Sequence, residues 1–247
     1  MITDPWFYAV AIPAVLLLGM AKSGFLLGFG SLATPLMALM VPVPQAAAIM
    51  LPLLLVMDAT GVQKLWRECD RSMIALLLPA ALVGIVIGAL MFRVLSTTAV
   101  SGVVGALTLL FLAQRRLGWT LPRVQQGAGW GRAMAVVSGF TSFVAHAGGP
   151  PMMAYVLPLK INPLTLTATM AVLFAGINLA KWIPYGLLGL FDWRNVATAA
   201  VLVPLAPLGV WGGIWLTRRV KATHFYCIAD AGMLVTGVKL LTDGIRG

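Results

Sequence analysis

Hydrophobic and polar positions along the chain sort into long apolar blocks separated by short polar gaps. Six blocks, at 45–66, 73–94, 98–114, 163–184, 195–217 and 222–242, approach the roughly 20 mostly apolar residues that a spanning helix needs. Two further regions, 6–43 and 132–160, are apolar but interrupted by glycine-rich punctuation. The first interruption reads Gly28-Phe29-Gly30-Ser31-Leu32-Ala33-Thr34-Pro35, and the second reads His146-Ala147-Gly148-Gly149-Pro150-Pro151. Later in each half, Pro79 with Gly84 and Gly88 is echoed by Pro204 with Gly209 and Gly213. This doubling predicts two homologous membrane repeats, 1–117 and 132–247, joined by a basic linker over 118–131. Duplicated membrane chains with broken helices typically bind a transported solute at the breaks.

Composition narrows the class. With 60% hydrophobic and only 10% charged residues among 247, and a mean hydropathy of +0.96, the chain reads as an integral membrane protein embedded in a lipid bilayer. A formal net charge of +10 would suit nucleic acid, but the lysines and arginines sit mostly in short loops between apolar blocks, where they act as a topology signal. No nucleic-acid partner is expected. Cys69 lies in a loop and Cys227 inside an apolar block, so no disulfide framework follows. The amino-terminal Met1-Ile2-Thr3-Asp4-Pro5 lacks the basic start of a signal peptide, so the first apolar stretch reads as structural.

Basic residues near segment ends favour the cytoplasm. They cluster at Lys64, Arg67 and Arg71; at Arg115, Arg116, Arg123 and Arg132; at Lys160; and at Arg218, Arg219 and Lys221. Placing these loops inside makes the central linker cytoplasmic and both termini periplasmic. Region 6–43 then starts and ends outside, and 132–160 starts and ends inside, each as a hairpin dipping into the membrane; the other reading of 6–43 is one long broken span. Each half becomes a broken hairpin plus three spanning helices, about eight helical transmembrane regions in all. The expected fold class is all-α integral membrane, with two inverted homologous halves, because an odd number of spans turns the second copy over.

Ionisable side chains in the bilayer are costly, on the order of 3 kcal/mol each by insertion scales, and therefore invite a functional reading. Lys22 is expected at the first hairpin turn and His146 at the second. The helix starts that follow Gly28 and Gly30, and Gly148 and Gly149, would present backbone N–H groups and partial positive charge, and the absent side chains would let an anion approach. Ser23 and Ser142 add hydroxyl donors, as does Thr141, while Asn178 and Lys181, one turn apart, put an amide and an ammonium on one helical face. The expected anion site is therefore Lys22, Ser23, Gly28, Gly30, Ser142, His146, Gly148, Gly149, Asn178 and Lys181. Asp58 and Asp230 are expected to ion-pair with Lys22 or Lys181, or to carry a proton during transport. Gly84/Gly88 and Gly209/Gly213 have small-xxx-small spacing, which means close helix packing and permits a homodimer.

Zincin, Walker A and nucleophile-elbow motifs are absent, as are paired histidines or cysteines at metal spacing. No cofactor, no metal and no enzymatic activity are expected, and without a nucleotide motif any transport runs on an ion or substrate gradient.

Gly28-Phe29-Gly30 with Pro35, and Ser142-Phe143-Val144-Ala145-His146-Ala147-Gly148-Gly149-Pro150-Pro151 with Tyr155, together with Asn178, Lys181, Tyr185 and Gly189, resemble the TauE/SafE sulfite exporter family over nearly the whole chain. The chain departs from that family's usual G-x-G-G-G at Ser31. The resemblance implies two homologous membrane halves and outward movement of a small sulfur-containing anion, such as sulfite or sulfoacetate, across the bacterial inner membrane. The expected function is a secondary transporter holding that anion between the two glycine-rich tips near the midplane. The alternatives are a passive anion channel of the same fold, and a membrane enzyme or assembly factor acting on a sulfur compound.

Overall fold

Proline and short polar residues set where the helices begin. In the computed structural model, which describes residues 1–22, 30–117, 127–217 and 222–246 and only the backbone at 115, 214, 216, 217 and 222–229, the chain is helical throughout. Helix α1 spans Pro5–Lys22, α2 Gly30–Met37, α3 Val43–Leu65, α4 Arg71–Val94 and α5 Thr97–Arg116. The second half supplies α6 Ala128–Ala145, α7 Gly149–Val156, α8 Pro163–Leu187, α9 Trp193–Leu202, α10 Leu205–Thr217 and α11 Ala222–Arg246. Asp70, Ser96, Asn162 and Asp192 cap α4, α5, α8 and α9 with side-chain acceptors, satisfying amides that the first turn leaves without partners.

Among the described residues, α1, α3, α4, α5 and α8 are each long and apolar enough to cross a membrane, and α9 with α10 makes a sixth candidate. This is a multi-pass membrane protein. The single span expected over 195–217 is two helices bent by 42°, because Pro204 between them has no N–H to continue the ladder. The linker expected over 118–131 is shorter at its end, since α6 already starts at Ala128 and Trp130 packs on the core.

In each half the two arms of the broken region pack on each other, α1 on α2 and α6 on α7. The most extensive pairings between the halves are α4 with α6, α5 with α11, α1 with α10 and α3 with α8. Exchanging α1, α2, α3, α4 and α5 for α6, α7, α8, α9–α10 and α11 maps this set of pairings onto itself.

The predicted small-residue faces lie inside these pairings. A Cβ on Gly84 would overlap the α6 backbone at Val136 and Phe140, and one on Gly88 would come within 2.9 Å of the Phe143 ring. Gly209 meets the α1 backbone at Gly19 and Leu16. Close backbone approach maximises van der Waals contact where no hydrophobic effect drives helices together. Helix α3 runs through the centre, with Val43, Ala46, Ala47, Ala48, Ile49, Met50 and Leu51 all buried. It carries Asp58 into the interior.

Candidate functional site

The second helix break is shaped by its own hydroxyl side chains. Helix α6 ends at His146, which adopts a left-handed conformation with φ 53° and ψ 28°. This region is uncommon for residues other than glycine and, when occupied, clusters at functional sites. The His146 amide donates to the Ser142 carbonyl at 3.0 Å and the Ala147 amide to the Thr141 carbonyl at 3.1 Å. In return, the Thr141 hydroxyl donates to the Ala147 carbonyl at 3.0 Å and the Ser138 hydroxyl to the Gly148 carbonyl at 2.7 Å. A side chain at 148 would meet the Ser138 carbonyl at 2.8 Å and the Phe174 ring at 2.9 Å, whereas nothing lies within 4 Å of a Cβ on Gly149. Gly148 is thus demanded by packing, and Gly149 leaves open space.

Helix α7 resumes at Gly149, but Pro150 and Pro151 carry no N–H, so ahead of Met152 only Gly148 and Gly149 bring amide donors to its start. In the first half, α2 resumes at Gly30 and has no proline in its first turn. Ser23 and Gly28, expected as donors at that tip, lie outside the described residues.

Both helix starts open on one cavity of about 170 Å³. Its polar wall is formed by Lys22, Gly30, Ser31, Asp58, Ser142, His146, Gly149 and Asn178. Leu54, Met57, Met153, Met170 and Phe174 form much of its apolar wall. Few polar groups converging in a mostly apolar pocket are the usual make-up of a small-ligand site. From there the cavity extends along α3 to Gly61 and Leu65 and along α8 to Leu166 and Thr167. Seven of the expected residues therefore meet: Lys22, Gly30, Ser142, His146, Gly149, Asn178 and Asp58. Gly148 does not line the cavity, its carbonyl being turned to Ser138. Asp230 does not reach Lys22 or Lys181 and is ion-paired with Arg116 of α5 at 2.7 Å.

Lys22 ends α1, where the helix dipole favours a cation. Its ammonium ion-pairs with Asp58 Oδ1 and lies over the Phe174 ring, 5.5 Å from the centroid. The other carboxylate oxygen, Oδ2, accepts from the Asn178 amide. With both oxygens engaged, the Asp58 side chain is only 2% exposed, whereas that of Lys22 is 23% exposed. The cation meant for an anion already holds an internal one.

Behind this wall sits a second cluster. Lys181 is fully buried and donates to the Ser142 carbonyl at 3.0 Å, the Ser142 hydroxyl at 3.1 Å and His146 Nδ1 at 2.7 Å. His146 Nε2 faces the Ala47 carbonyl at 2.9 Å. A carbonyl only accepts, so Nε2 bears the proton and Nδ1 is the acceptor for Lys181. Asn178 and Lys181 are a turn apart, as expected, but Asn178 faces the cavity and Lys181 packs one layer behind it. Tyr185, a further turn along, donates its hydroxyl to the Phe143 carbonyl at 2.7 Å and meets the Phe143 ring edge-on.

Phe174 and the Ala47 carbonyl were not foreseeable as site groups from their surroundings in the sequence, and Ser138 was passed over. The spacing of Ser138, Thr141 and Ser142 on one helical face just before the break is the one signal that marks Ser138.

The family model described as Sulfite exporter TauE/SafE matches residues 11–240. The chain belongs to the TauE/SafE sulfite exporter family. No curated protein and no solved structure matches it. The TauE/SafE match runs from within α1 to within α11 and takes in every residue that lines the cavity. TauE/SafE is a family of sulfite exporters.

Proposed function

We propose that this TauE/SafE protein is a secondary transporter that binds a small sulfur-containing anion, sulfite or an organosulfonate such as sulfoacetate, and exports it across the bacterial inner membrane. The observation that carries the reading is that Lys22 and the starts of both broken helices open onto the same cavity. A helix start offers about half a positive charge and unpaired amides. Lys22 adds a full charge once the anion takes the place of Asp58, and a charge-assisted hydrogen bond is worth about 1.5–3 kcal/mol. The Ser142 hydroxyl already accepts from Lys181, which leaves its own proton to point at the ligand.

The cavity reaches toward the ends of α3 and α8 that adjoin Lys64, Arg67, Arg71 and Lys160. Basic loops of this kind favour the cytoplasmic side, which supports a state loaded from inside, with the central linker also inside. Toward the other side, the buried first half of α3 and the Lys181, Tyr185 and Phe143 layer close the path. The self-exchanging set of helix pairings supports two repeats, the loop charges favour their opposite orientation, and rocking one against the other would open that layer.

Sulfite uptake into inverted membrane vesicles tests this. A drop of at least about tenfold is expected for Lys22→Ala combined with His146→Ala, since losing one charged contact costs roughly that factor. Undiminished saturable uptake would overturn the site.

A further inference from the structure

We infer that Asp58 is the proton site of the transport cycle: the incoming anion displaces its carboxylate from Lys22, and the carboxyl takes up one proton as it is released. The inference rests on the transport reading above and goes beyond it by naming the coupled ion and the residue that carries it.

Among the described residues, three cationic or titratable groups from other helices lie around Asp58. Lys22 comes from α1, Lys181 from α8 and His146 from the end of α6; α2 and α10 contain no titratable residue among their described side chains, and those of α5 and α9 lie at their termini. Lys181 is held by Ser142 and by His146. Among the described residues, Lys22 is thus the cation of the cavity wall that touches Asp58, and Asp58 is the carboxylate that neutralises it.

An anion binding at Lys22 beside an ionised Asp58 would place two negative charges against the one ammonium that touches them both, in a buried, low-dielectric pocket. Like charges at contact distance in such a setting repel strongly, and a buried carboxyl in that position takes a proton instead. The step balances: the Lys22–Asp58 pair plus one anion and one proton becomes a Lys22–anion pair plus a neutral Asp58. The proton arrives through the cavity, past Gly61 and Leu65. Asn178 supports the neutral form, because its amide can keep donating to Oδ2 when Oδ1 carries the proton. Release of the anion on the far side reverses each change, and Asp58 returns to Lys22.

The test is the affinity of the purified full-length protein for sulfite between pH 7.5 and 9, in wild type and in Asp58→Asn. Sulfite's own protonation affects both alike, so the difference between the two profiles belongs to the protein. Wild-type affinity is expected to fall about tenfold more per pH unit than that of Asp58→Asn, which is the slope of one extra proton taken up on binding. Asp58→Glu should keep the wild-type slope. As a readout that needs no variant, sulfoacetate binding to wild type in weak buffer should take up about one proton per anion. Equal slopes in wild type and Asp58→Asn, or no proton uptake with bound sulfoacetate, would overturn the inference while leaving anion transport intact. Failure of wild type to bind or move sulfite at any pH would overturn the transport reading itself, and this inference with it.

Discussion

Lys181 donates to His146 Nδ1 across 2.7 Å, while the opposite edge of the same ring is 2.9 Å from the Ala47 carbonyl. Both ring nitrogens are therefore engaged within the protein, and His146 reaches the cavity with its ring rather than with a free N–H. Its work is to hold three elements together at the break: α3 through Ala47, α8 through Lys181, and α6 through its own left-handed backbone. This is a positioning role, distinct from the direct anion contact that the sequence suggests.

A double-mutant cycle on this pair follows. His146→Ala, Lys181→Met and the double variant, unfolded in detergent, should be non-additive by about 1 kcal/mol or more, as expected for partners in one buried network. Additive losses would mean that the two side chains act independently.

Lys22 is the exposed end of the site's charge. Replacing it by Gln keeps the length but not the charge, and the KM for sulfite should rise at least about tenfold. Removing Lys22 also leaves Asp58 buried without its cation, so a stability loss of about 3–5 kcal/mol should accompany the change. Lys22→Gln together with Asp58→Asn should recover most of that stability and none of the sulfite affinity.

The neighbouring glycines should behave differently. Gly148→Ala would drive its methyl into the Ser138 carbonyl and the Phe174 ring, and overpacking of this kind costs about 1–3 kcal/mol. Gly149→Ala meets nothing, so stability should be kept. Its methyl enters the cavity beside the amide donors, and sulfite uptake should weaken with no loss of folded protein. Thermal unfolding and vesicle uptake on both variants would separate the two roles.

Tyr185→Phe removes the donor to the Phe143 carbonyl and keeps the ring packing. Interhelical hydrogen bonds in membranes average about 0.6 kcal/mol and reach about 1.7 kcal/mol. A loss within that span, read from unfolding in detergent, is expected, with a faster rate of sulfite exchange if the layer of Phe143 and Tyr185 closes the path.

Much of this arrangement was legible in the chain. Apolar block length located α3, α4, α5 and α8, and glycine punctuation marked the two breaks, after which α2 and α7 begin at Gly30 and Gly149. The pairing of Lys22 with Asp58 was legible as one of several choices, because a buried carboxylate needs a cation and few are available. Its partner choice was not: Asp230 was open to the same cations but lies on α11, which packs on α5, and Arg116 at the end of α5 reaches it. The division of Asn178 and Lys181 between two clusters was also hidden. Helical spacing places two residues on a face, whereas here that face is shared between α3 and α6, and only the tertiary packing decides which side each one serves. Ser138 was hidden because a serine within an apolar helix more often bonds its own backbone.

Where the anion sits decides between these roles. Selenite, a heavier analogue of sulfite, can be located by its anomalous scattering in crystals of the protein. One bound selenite is expected between Gly30 and Gly149, against Lys22 and the Ser142 hydroxyl, with the Asp58 carboxyl drawn away from Lys22. Selenite bound elsewhere, with Lys22 still paired to Asp58, would contradict this placement.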